Sequence, residues 1–265
     1  MPESQQPSAS LSVGLALRVE GAAHSVEIVE QAVMAERHGW DGVCLSASSN
    51  SSGSVLLTAT AVAAQTEKLR LGVELLPDAT LHPLRLAEDL ATLDVVSSGR
   101  LEWMAADSAL SADADEARSV VSRAWRGEPF NHDGPRWSFP ELVCVPSPNQ
   151  SPHPPIWCPP RPGRFTEKGE GVGSWIRSAE DLAQRSGSVP IALRGAWVGD
   201  SDFDGASHGL VFGPHVRTPH DLGPMGQALR EGGLVWVFLE LEADHPLPAV
   251  GEVRDVIGQR LRASP

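Results

Sequence analysis

Short apolar segments alternate with amphipathic segments along the first half of this chain, and this alternation most constrains its fold. Apolar runs typical of buried strands lie at 11–17, 42–47, 69–76 and 100–105. Segments with apolar residues at helical spacing follow them, at 24–38, 54–66, 83–96 and 112–126. Because parallel strands need a crossover connection, which a helix usually supplies, four such units predict a parallel sheet.

The second half of the chain is less regular, but it continues the series of strands. Strands five to eight are predicted at 155–158, 172–176, 189–198 with 210–213 as one split strand, and 234–241. Further predictions are an extended segment at 137–145 and helices at 218–231 and 249–262. Eight strands in this order predict an α/β fold, a (β/α)8 barrel. It would form one domain over residues 11–265, after a disordered leader at 1–10.

The charge of the chain limits its partners. At a net charge of -13, binding to a polyanion such as nucleic acid or to an anionic membrane surface is disfavoured. The first ten residues lack the basic and apolar regions of a signal peptide. No apolar run approaches the roughly 20 residues of a membrane span. The sequence therefore predicts a cytoplasmic protein without a nucleic-acid or membrane partner.

The cysteines and histidines show no metal-binding pattern. Cys44, Cys144 and Cys158 are odd in number and have no C-x-x-C spacing, so we expect buried, reduced thiols. The nine histidines form neither an H-x-x-x-H nor an H-E-x-x-H pair. We therefore predict no metal site.

Four segments carry a resemblance to a known family. The longest, LHPLRLAEDLATLDVVSSGRLEW at 81–103, joins a turn, a helix, a Ser/Gly stop and a strand. The others are AERHGWDGVCLS at 35–46, RAWRGEPFNHDGPRWSF at 123–139 and PSPNQSPHPPIWC at 146–158. In this order they resemble the bacterial luciferase-like monooxygenases, which are flavin- or deazaflavin-dependent oxidoreductases on a (β/α)8 barrel. The resemblance implies an enzyme that holds FMN or a deazaflavin coenzyme over a small organic substrate.

Candidate catalytic residues follow strands two and three, because a barrel places its chemistry at the carboxyl ends of its strands. After strand two the family commonly has His or Asp, whereas this chain has the serine-rich stretch 46–54. Ser46 can donate a hydrogen bond but cannot titrate near neutrality. Glu74 and His82 follow strand three, and His82 could replace the missing base. The alternatives are a flexible loop for the serine-rich stretch and a helix cap or packed imidazole for His82.

The phosphate side of the expected cofactor site departs from the family pattern. Asp107 follows strand four, where a carboxylate would repel a phosphate, and it or Ser108 could instead cap the next helix. CPPRPGRF at 158–165 replaces the family's Gly-Gly and Ser, and its prolines have no N–H to donate. Arg161 and Arg164 could supply charge there, or could be solvated surface residues.

Tryptophans at strand ends could line the barrel mouth, with core filling as the alternative. The candidate cofactor-binding residues are therefore Ser48, Asp107, Ser108, Arg161, Arg164, Trp157 and Trp175.

Three functional hypotheses remain open on the sequence. The first is a luciferase-like oxidoreductase or monooxygenase. The second is a non-catalytic homologue that acts as a partner subunit, which the altered loops would suit. The third is a cofactor-free enzyme or small-molecule binder. The family typically dimerises through helices that follow its early strands, and the Ala-rich helix at 54–66 would allow close packing there. We therefore expect a homodimer or a heterodimer with a homologue.

Overall fold

Four strands and four helices alternate in the first half of the chain, as predicted. The computed structural model describes residues 12–20, 22–47, 52–75, 81–105, 112–158, 172–176, 191–198, 209–212, 234–241, and residues 250, 251, 253 and 255. The alternating elements are β1 (Ser12–Val19), α1 (Ala22–Arg37), β2 (Gly42–Ala47), α2 (Ser52–Gln65), β3 (Arg70–Glu74), α3 (Pro83–Val96), β4 (Leu101–Met104) and α4 (Ala112–Ala124). The predicted bounds of β2 and α3 are confirmed.

Strands dominate what is described of the second half. They are β5 (Phe130–Asp133), β6 (Ser138–Leu142), β7 (Ile156–Cys158), β8 (Val172–Ile176), β9 (Ile191–Val198), β10 (Gly209–Phe212) and β11 (Leu234–Leu241). β5 and β6 form a separate antiparallel pair. β10 pairs with β9 in antiparallel fashion, so the expected split strand is instead two strands that run in opposite directions. The predicted helix at 218–231 lies outside the described residues.

The main sheet is parallel apart from β10, and it curls. Its strand order is β10-β9-β11-β1-β2-β3-β4-β7-β8, with β8 also paired to β9. The pairing of β8 with β9 is parallel, like that of β1 with β2 and with β11. The chain is thus a mixed α/β protein built on a curled parallel sheet. Residues 159–171, 177–190, 199–208 and 213–233, which connect the strands after β7, lie outside the described residues.

Alternate residues of each strand enter two different apolar layers, as the period of two along a strand requires. One layer lies between the sheet and the helices and includes Leu15, Val43 and Trp103. The other lies on the concave face of the sheet, and we call it the inner cluster. It consists of Ala16, Cys44, Met104, Trp157, Ala192, Trp236 and Phe238. The layer under the helices secures the fold, and the inner cluster fills the space that the curled sheet encloses.

The inner cluster is accommodated by glycines on three neighbouring strands. A Cβ on Gly14 would lie 2.6 Å from two ring carbons of Phe238, and a Cβ on Gly42 would lie 3.0 Å from the Trp236 ring. A Cβ on Gly72 would lie 3.2 Å from the Met104 methyl. Since β1, β2 and β3 contribute no side chain at these positions, large side chains from β4 and β11 occupy the space. The Trp236 and Phe238 rings stack there, 4.8 Å apart.

The segment 81–103 holds neighbouring elements in place. α3 begins at Pro83, where the missing backbone N–H of proline costs nothing. The helix is terminated by Ser98 and Gly99, whose φ angles are positive, at 58° and 81°. The buried Arg100 guanidinium donates to the carbonyl oxygens of Ala63, at 2.8 Å, and Leu69, at 3.0 Å. It thereby links the end of α2 to the start of β3, so the role of this segment is structural more than catalytic.

Candidate functional site

The carboxyl ends of parallel strands meet at one edge of the sheet, and polar side chains gather there. Ser46 on β2 is the register partner of both Arg18 on β1 and Glu74 on β3. Each lies two residues beyond a position on the concave face, so the alternation along a strand places all three on that face. We call this edge the mouth of the sheet. It is where α/β proteins of this architecture place their ligands.

An ion pair joins the first and last of the described strands at the mouth. Arg18 Nη2 lies 3.3 Å from Glu240 Oε1, and their side chains are 53% and 37% exposed. Glu240 lies two residues beyond Phe238 of the inner cluster, which places it on the concave face as well. Because both partners are well exposed, the pair contributes little stability and mainly restricts where the guanidinium lies.

Ser46 and Glu74 differ in their access to solvent. Ser46 is 6% exposed, whereas Glu74 is partly exposed and lies in register with the buried Met104 of β4. The hydroxyl of Ser46, the carboxylate of Glu74 and the guanidinium of Arg18 thus lie beside small or apolar residues of the inner cluster. Such a combination, with few polar groups beside an apolar surface, is typical of small-molecule sites.

His82 caps α3. Its Nδ1 accepts a hydrogen bond from the Leu84 backbone N–H at 3.3 Å, and its φ and ψ angles of -63° and 131° are those of a residue just outside a helix. The imidazole is exposed and lies 6.0 Å from the Phe139 ring of β6. Since Nδ1 is the acceptor, the proton of a neutral His82 resides on Nε2. The cap occupies one ring nitrogen, and the predicted catalytic role of His82 stays a prediction.

Trp157 turns its indole N–H toward a buried carboxylate. Its Nε1 donates to Glu102 Oε2 at 2.6 Å, and Trp157 is 5% exposed. Glu102 also accepts from Arg70 Nε at 2.9 Å and from the Trp236 indole. Burial raises the pKa of Glu102 above its usual value, and the charge of Arg70 and these hydrogen bonds oppose the shift. One carboxylate therefore fixes two tryptophans of the inner cluster.

Arg70 carries this network toward the amino-terminal edge of the sheet. Its guanidinium donates to Gly99 O at 3.1 Å and to Gln150 Oε1 at 3.2 Å. Gln150 in turn donates through Nε2 to the buried Asp94 at 2.7 Å. Since the network runs away from the mouth, it stabilises the amino-terminal edge of the sheet and is not part of the candidate site.

Several polar residues of the concave face were not identified from the sequence as site residues. They are Arg18 and Glu240 at the mouth and Arg70 and Glu102 deeper in. A charge inside an otherwise apolar strand, such as Glu102 between Leu101 and Trp103, was the available signal. That signal does not reveal which face of the strand the charge occupies, because the register must be known first.

Most predicted cofactor-binding residues lie outside the described residues. These are Ser48, Asp107, Ser108, Arg161 and Arg164. Trp175 lies on β8, in register with Ala192 of the inner cluster.

The three cysteines are buried, as expected, and burial raises the pKa of the Cys158 thiol to about 11. The described part of the chain holds no cluster of three or more potential metal ligands from His, Cys, Asp and Glu.

The residue types at the described part of the mouth are those that the ring end of a flavin would need. A flat aromatic cofactor needs an apolar surface with hydrogen-bonding groups at its edge. Ala16 and Cys44 supply small apolar side chains, and Ser46 and Glu74 supply a donor and an acceptor beside them. Among the described helices, none has the length and apolarity needed to cross a membrane.

A curled parallel sheet with a polar mouth is the architecture of many α/β enzymes. The family model for luciferase-like monooxygenases matches residues 10–158, more than half of the chain. The chain belongs to this luciferase-like monooxygenase family.

Comparison with individual proteins agrees with this assignment. The oxygenase component of the flavin-dependent trigonelline monooxygenase of Acinetobacter baylyi is 28% identical over 151 residues, 49% of this chain and 42% of that protein. The chain thus matches less than half the length of this curated relative. The crystal structure of the monooxygenase RslO1 from Streptomyces bottropensis is 18% identical, with a TM-score of 0.61, covering 95% of this chain and 99% of that one.

A further solved structure shares the fold at lower similarity. It is the oxygenating constituent of 3,6-diketocamphane monooxygenase from Pseudomonas putida, in complex with FMN. It is 16% identical, with a TM-score of 0.52, and the match covers 72% of this chain and 68% of that one. At these identities, the two solved structures show the fold.

Proposed function

We propose that this chain is a flavin-dependent oxidoreductase, a monooxygenase, which acts on a small organic substrate bound at the mouth. The observation that supports it most is the position of Ser46 and Glu74, in register at the carboxyl edge of a curled parallel sheet. The A. baylyi relative is named a flavin-dependent oxygenase component, and the P. putida structure contains FMN. FMN is therefore the cofactor that we favour, and a deazaflavin coenzyme remains the alternative.

We also propose that the sheet closes into a complete (β/α)8 barrel. Ser12 pairs with Trp236, which pairs with Ala192, which pairs with Trp175 on β8. Followed the other way from β1, the register runs from Arg18 through Ser46 to Gly173 on β8. Trp175, two residues beyond Gly173, therefore falls level with Glu20, two residues beyond Arg18. One circuit thus moves from residue 12 to residue 20 of β1, a stagger of eight residues. This is the stagger of a (β/α)8 barrel.

The bound flavin would supply the redox chemistry, and the chain would position it. Ser46 would donate its hydroxyl hydrogen to an acceptor at the ring edge, since it is buried and beside the apolar surface. Glu74 would accept a hydrogen bond from the ring or the substrate. His82, whose Nδ1 is used by the cap, would exchange a proton through Nε2. The phosphate would face Ser48, Asp107, Ser108, Arg161 and Arg164, and Trp157 and Trp175 would lie nearer the ring.

Flavin binding tests this proposal directly. We expect FMN, reduced FMN or the deazaflavin coenzyme to quench the tryptophan fluorescence of the purified chain saturably, at micromolar concentration. Ser46→Ala removes one hydrogen bond to the ring and should weaken binding by roughly tenfold. Ser119→Ala, on the exposed face of α4, is the matched control and should not change binding. Failure of all three compounds to bind would refute the proposal and favour a cofactor-free binder.

The exposed surface of α2 favours binding to a protein partner. Leu57 is 74% exposed, and Thr60, Ala61 and Ala64 are also exposed on this helix, which carries no charged residue. An uncharged face of small residues allows close helix packing. We therefore propose that α2 packs against a second copy of this chain or against a homologue. In the second case the chain could serve as a non-catalytic partner subunit.

Sedimentation of two variants tests the α2 interface. Leu57→Glu places a charge on the proposed interface and should convert a dimer into monomers. Val145→Glu makes the same change at a side chain that is 66% exposed, away from α2, and should leave the dimer intact. A wild-type chain that sediments as a monomer, alone and with a homologue, would contradict the proposal. The cytoplasmic location stays a prediction.

A further inference from the structure

One methionine lies at the same level of the sheet as the polar residues of the mouth. Ser46 is in register with Glu74, and Glu74 is in register with Met104. Met104 is in turn in register with Trp157. These four residues form a row across β2, β3, β4 and β7, and the alternation along each strand places all of them on the concave face. We call them the mouth row.

The side chain of Met104 reaches deeper than the mouth row. A Cβ added to Gly72 would lie 3.2 Å from the Met104 methyl and 3.2 Å from the Cβ of Cys44. Gly72 is in register with Cys44 and with Glu102, and each of these residues lies two positions before a member of the mouth row. Met104 is fully buried. It thus fills the space over Gly72, where β3 contributes no side chain.

The side chains beneath this space are held in place by one carboxylate. Glu102 accepts hydrogen bonds from the indoles of Trp157, at 2.6 Å, and Trp236, and from Arg70 Nε at 2.9 Å. The size of a cavity that a truncation leaves depends on how far its surroundings can collapse, and hydrogen-bonded indoles have little freedom to move. A shorter side chain at position 104 would therefore leave an open cavity beneath the mouth row.

We propose that Met104 determines the depth of the mouth and thereby selects compact substrates. With Met104 in place, the apolar part of a substrate ends at the mouth row, because the methionine occupies the space over Gly72. This inference rests on the proposed oxidoreductase function. It names a specificity-determining residue for that function and a substrate class, small molecules without a long apolar chain. Met104 makes the selection by excluding longer molecules from a close-packed space.

Straight-chain primary alcohols from propanol to decanol measure the depth of the site. Calorimetric titration of the full chain, with and without FMN, gives the affinity for each alcohol. Each methylene group that enters an apolar site contributes roughly a fourfold gain in affinity. In the wild type we expect this gain to stop at a limiting chain length. In Met104→Ala, which lacks the side-chain atoms beyond Cβ, we expect the gain to continue for about three more methylene groups.

Further variants grade this effect and control for a loss of stability. Met104→Val shortens the side chain less and keeps a residue that strands favour, so it should move the limit by about one methylene group. Met104→Leu has nearly the same volume and should leave the limit unchanged. Leu86→Ala truncates a buried side chain of α3, in the layer between the sheet and the helices, and should destabilise the protein without moving the limit.

The thiol of Cys44 reports where the new space lies. Cys44 is buried and borders the space over Gly72. Methyl methanethiosulfonate should therefore modify Cys44 in Met104→Ala, but not in the wild type or in Leu86→Ala, and decanol should protect it. Mass spectrometry of the peptides distinguishes Cys44 from the two other buried cysteines.

The outcomes separate this inference from the proposed function. An equal limit in the wild type and Met104→Ala, or no binding of any alcohol to either, would overturn the role of Met104. An equal movement of the limit in Leu86→Ala would also overturn it, because the effect would then follow stability and not position. If FMN binds while the limits agree, only this inference fails. If the limit moves while no flavin binds, Met104 still sets the depth of a binding site and the oxidoreductase proposal fails.

Discussion

Gly14→Ala is expected to destabilise the protein by about 3 kcal/mol, although it adds a single methyl group. The new Cβ would lie 2.6 Å from two ring carbons of Phe238 and 2.8 Å from the backbone oxygen of Gly42. Phe238 is fully buried and stacks on Trp236, so its ring cannot move away without disturbing the inner cluster. The Gly42 oxygen belongs to the neighbouring strand and is fixed by the sheet. Overpacking of this kind forces strain that a close-packed interior does not relieve.

Urea unfolding, followed by tryptophan fluorescence, measures this effect. Gly251→Ala provides the matched control, because Gly251 is helical and nothing lies within 4 Å of its added Cβ. Alanine is favoured over glycine within a helix, so this control should be neutral or stabilising by up to about 1 kcal/mol. If both variants unfold at the same urea concentration, the close packing of Phe238 against β1 is wrong.

Glu102→Ala is expected to destabilise the protein by about 3–5 kcal/mol, the usual cost of removing one partner of a buried ion pair. The substitution leaves Arg70 without the carboxylate that lies 2.9 Å from its Nε, and it leaves the Trp157 indole N–H without its acceptor at 2.6 Å. It also removes the acceptor of the Trp236 indole N–H. Glu141→Ala, on an exposed position of β6, is the control and should change the free energy of unfolding by less than about 0.5 kcal/mol.

The pH dependence of stability distinguishes this carboxylate from a simple packing residue. Burial raises the pKa of Glu102 in the folded state above its ordinary value of 4.5. The folded protein therefore holds a proton there that the unfolded chain releases, and this contribution to stability is full below pH 4.5 and declines as the pH rises toward the folded pKa. Glu102→Gln does not titrate and should lack this decline. If the free energy of unfolding depends on pH in the same way for the wild type and for Glu102→Gln, Glu102 is not the source of the decline.

Elements with strong local signals were predicted well from the sequence. The bounds of β2, α3, β8 and β11 agree with the predictions, since Pro83 marks the start of α3 and short, mostly apolar runs mark the strands. β10 was read as part of one split strand, because an apolar run does not reveal the direction in which it pairs. β5, with the sequence FNHD, was not predicted as a separate strand, since only Phe130 of its residues is apolar.

The candidate site was predicted less completely than the fold. Ser46 and Glu74 were predicted as site residues because each lies at or near the end of a recognisable strand, and their roles stay predictions. Arg18 also lies near a strand end, but its position beside Ser46 depends on the register of β1 with β2, and its contact with Glu240 joins residues that are 222 positions apart. Such pairings follow from the closure of the sheet, which local sequence patterns do not contain.

The glycines of β1, β2 and β3 also have a consequence for the order in which this protein can fold during synthesis. The side chains that occupy the space beside Gly14 and Gly42 come from β11, more than 190 residues later. A ribosome that adds about 5–20 residues per second would need roughly 10–40 seconds to bridge that distance. Until then the nascent chain has helices packed on one face of its first strands and an unfilled concave face on the other. During this interval, the concave face of each nascent chain would be an exposed apolar surface to which chaperones could bind.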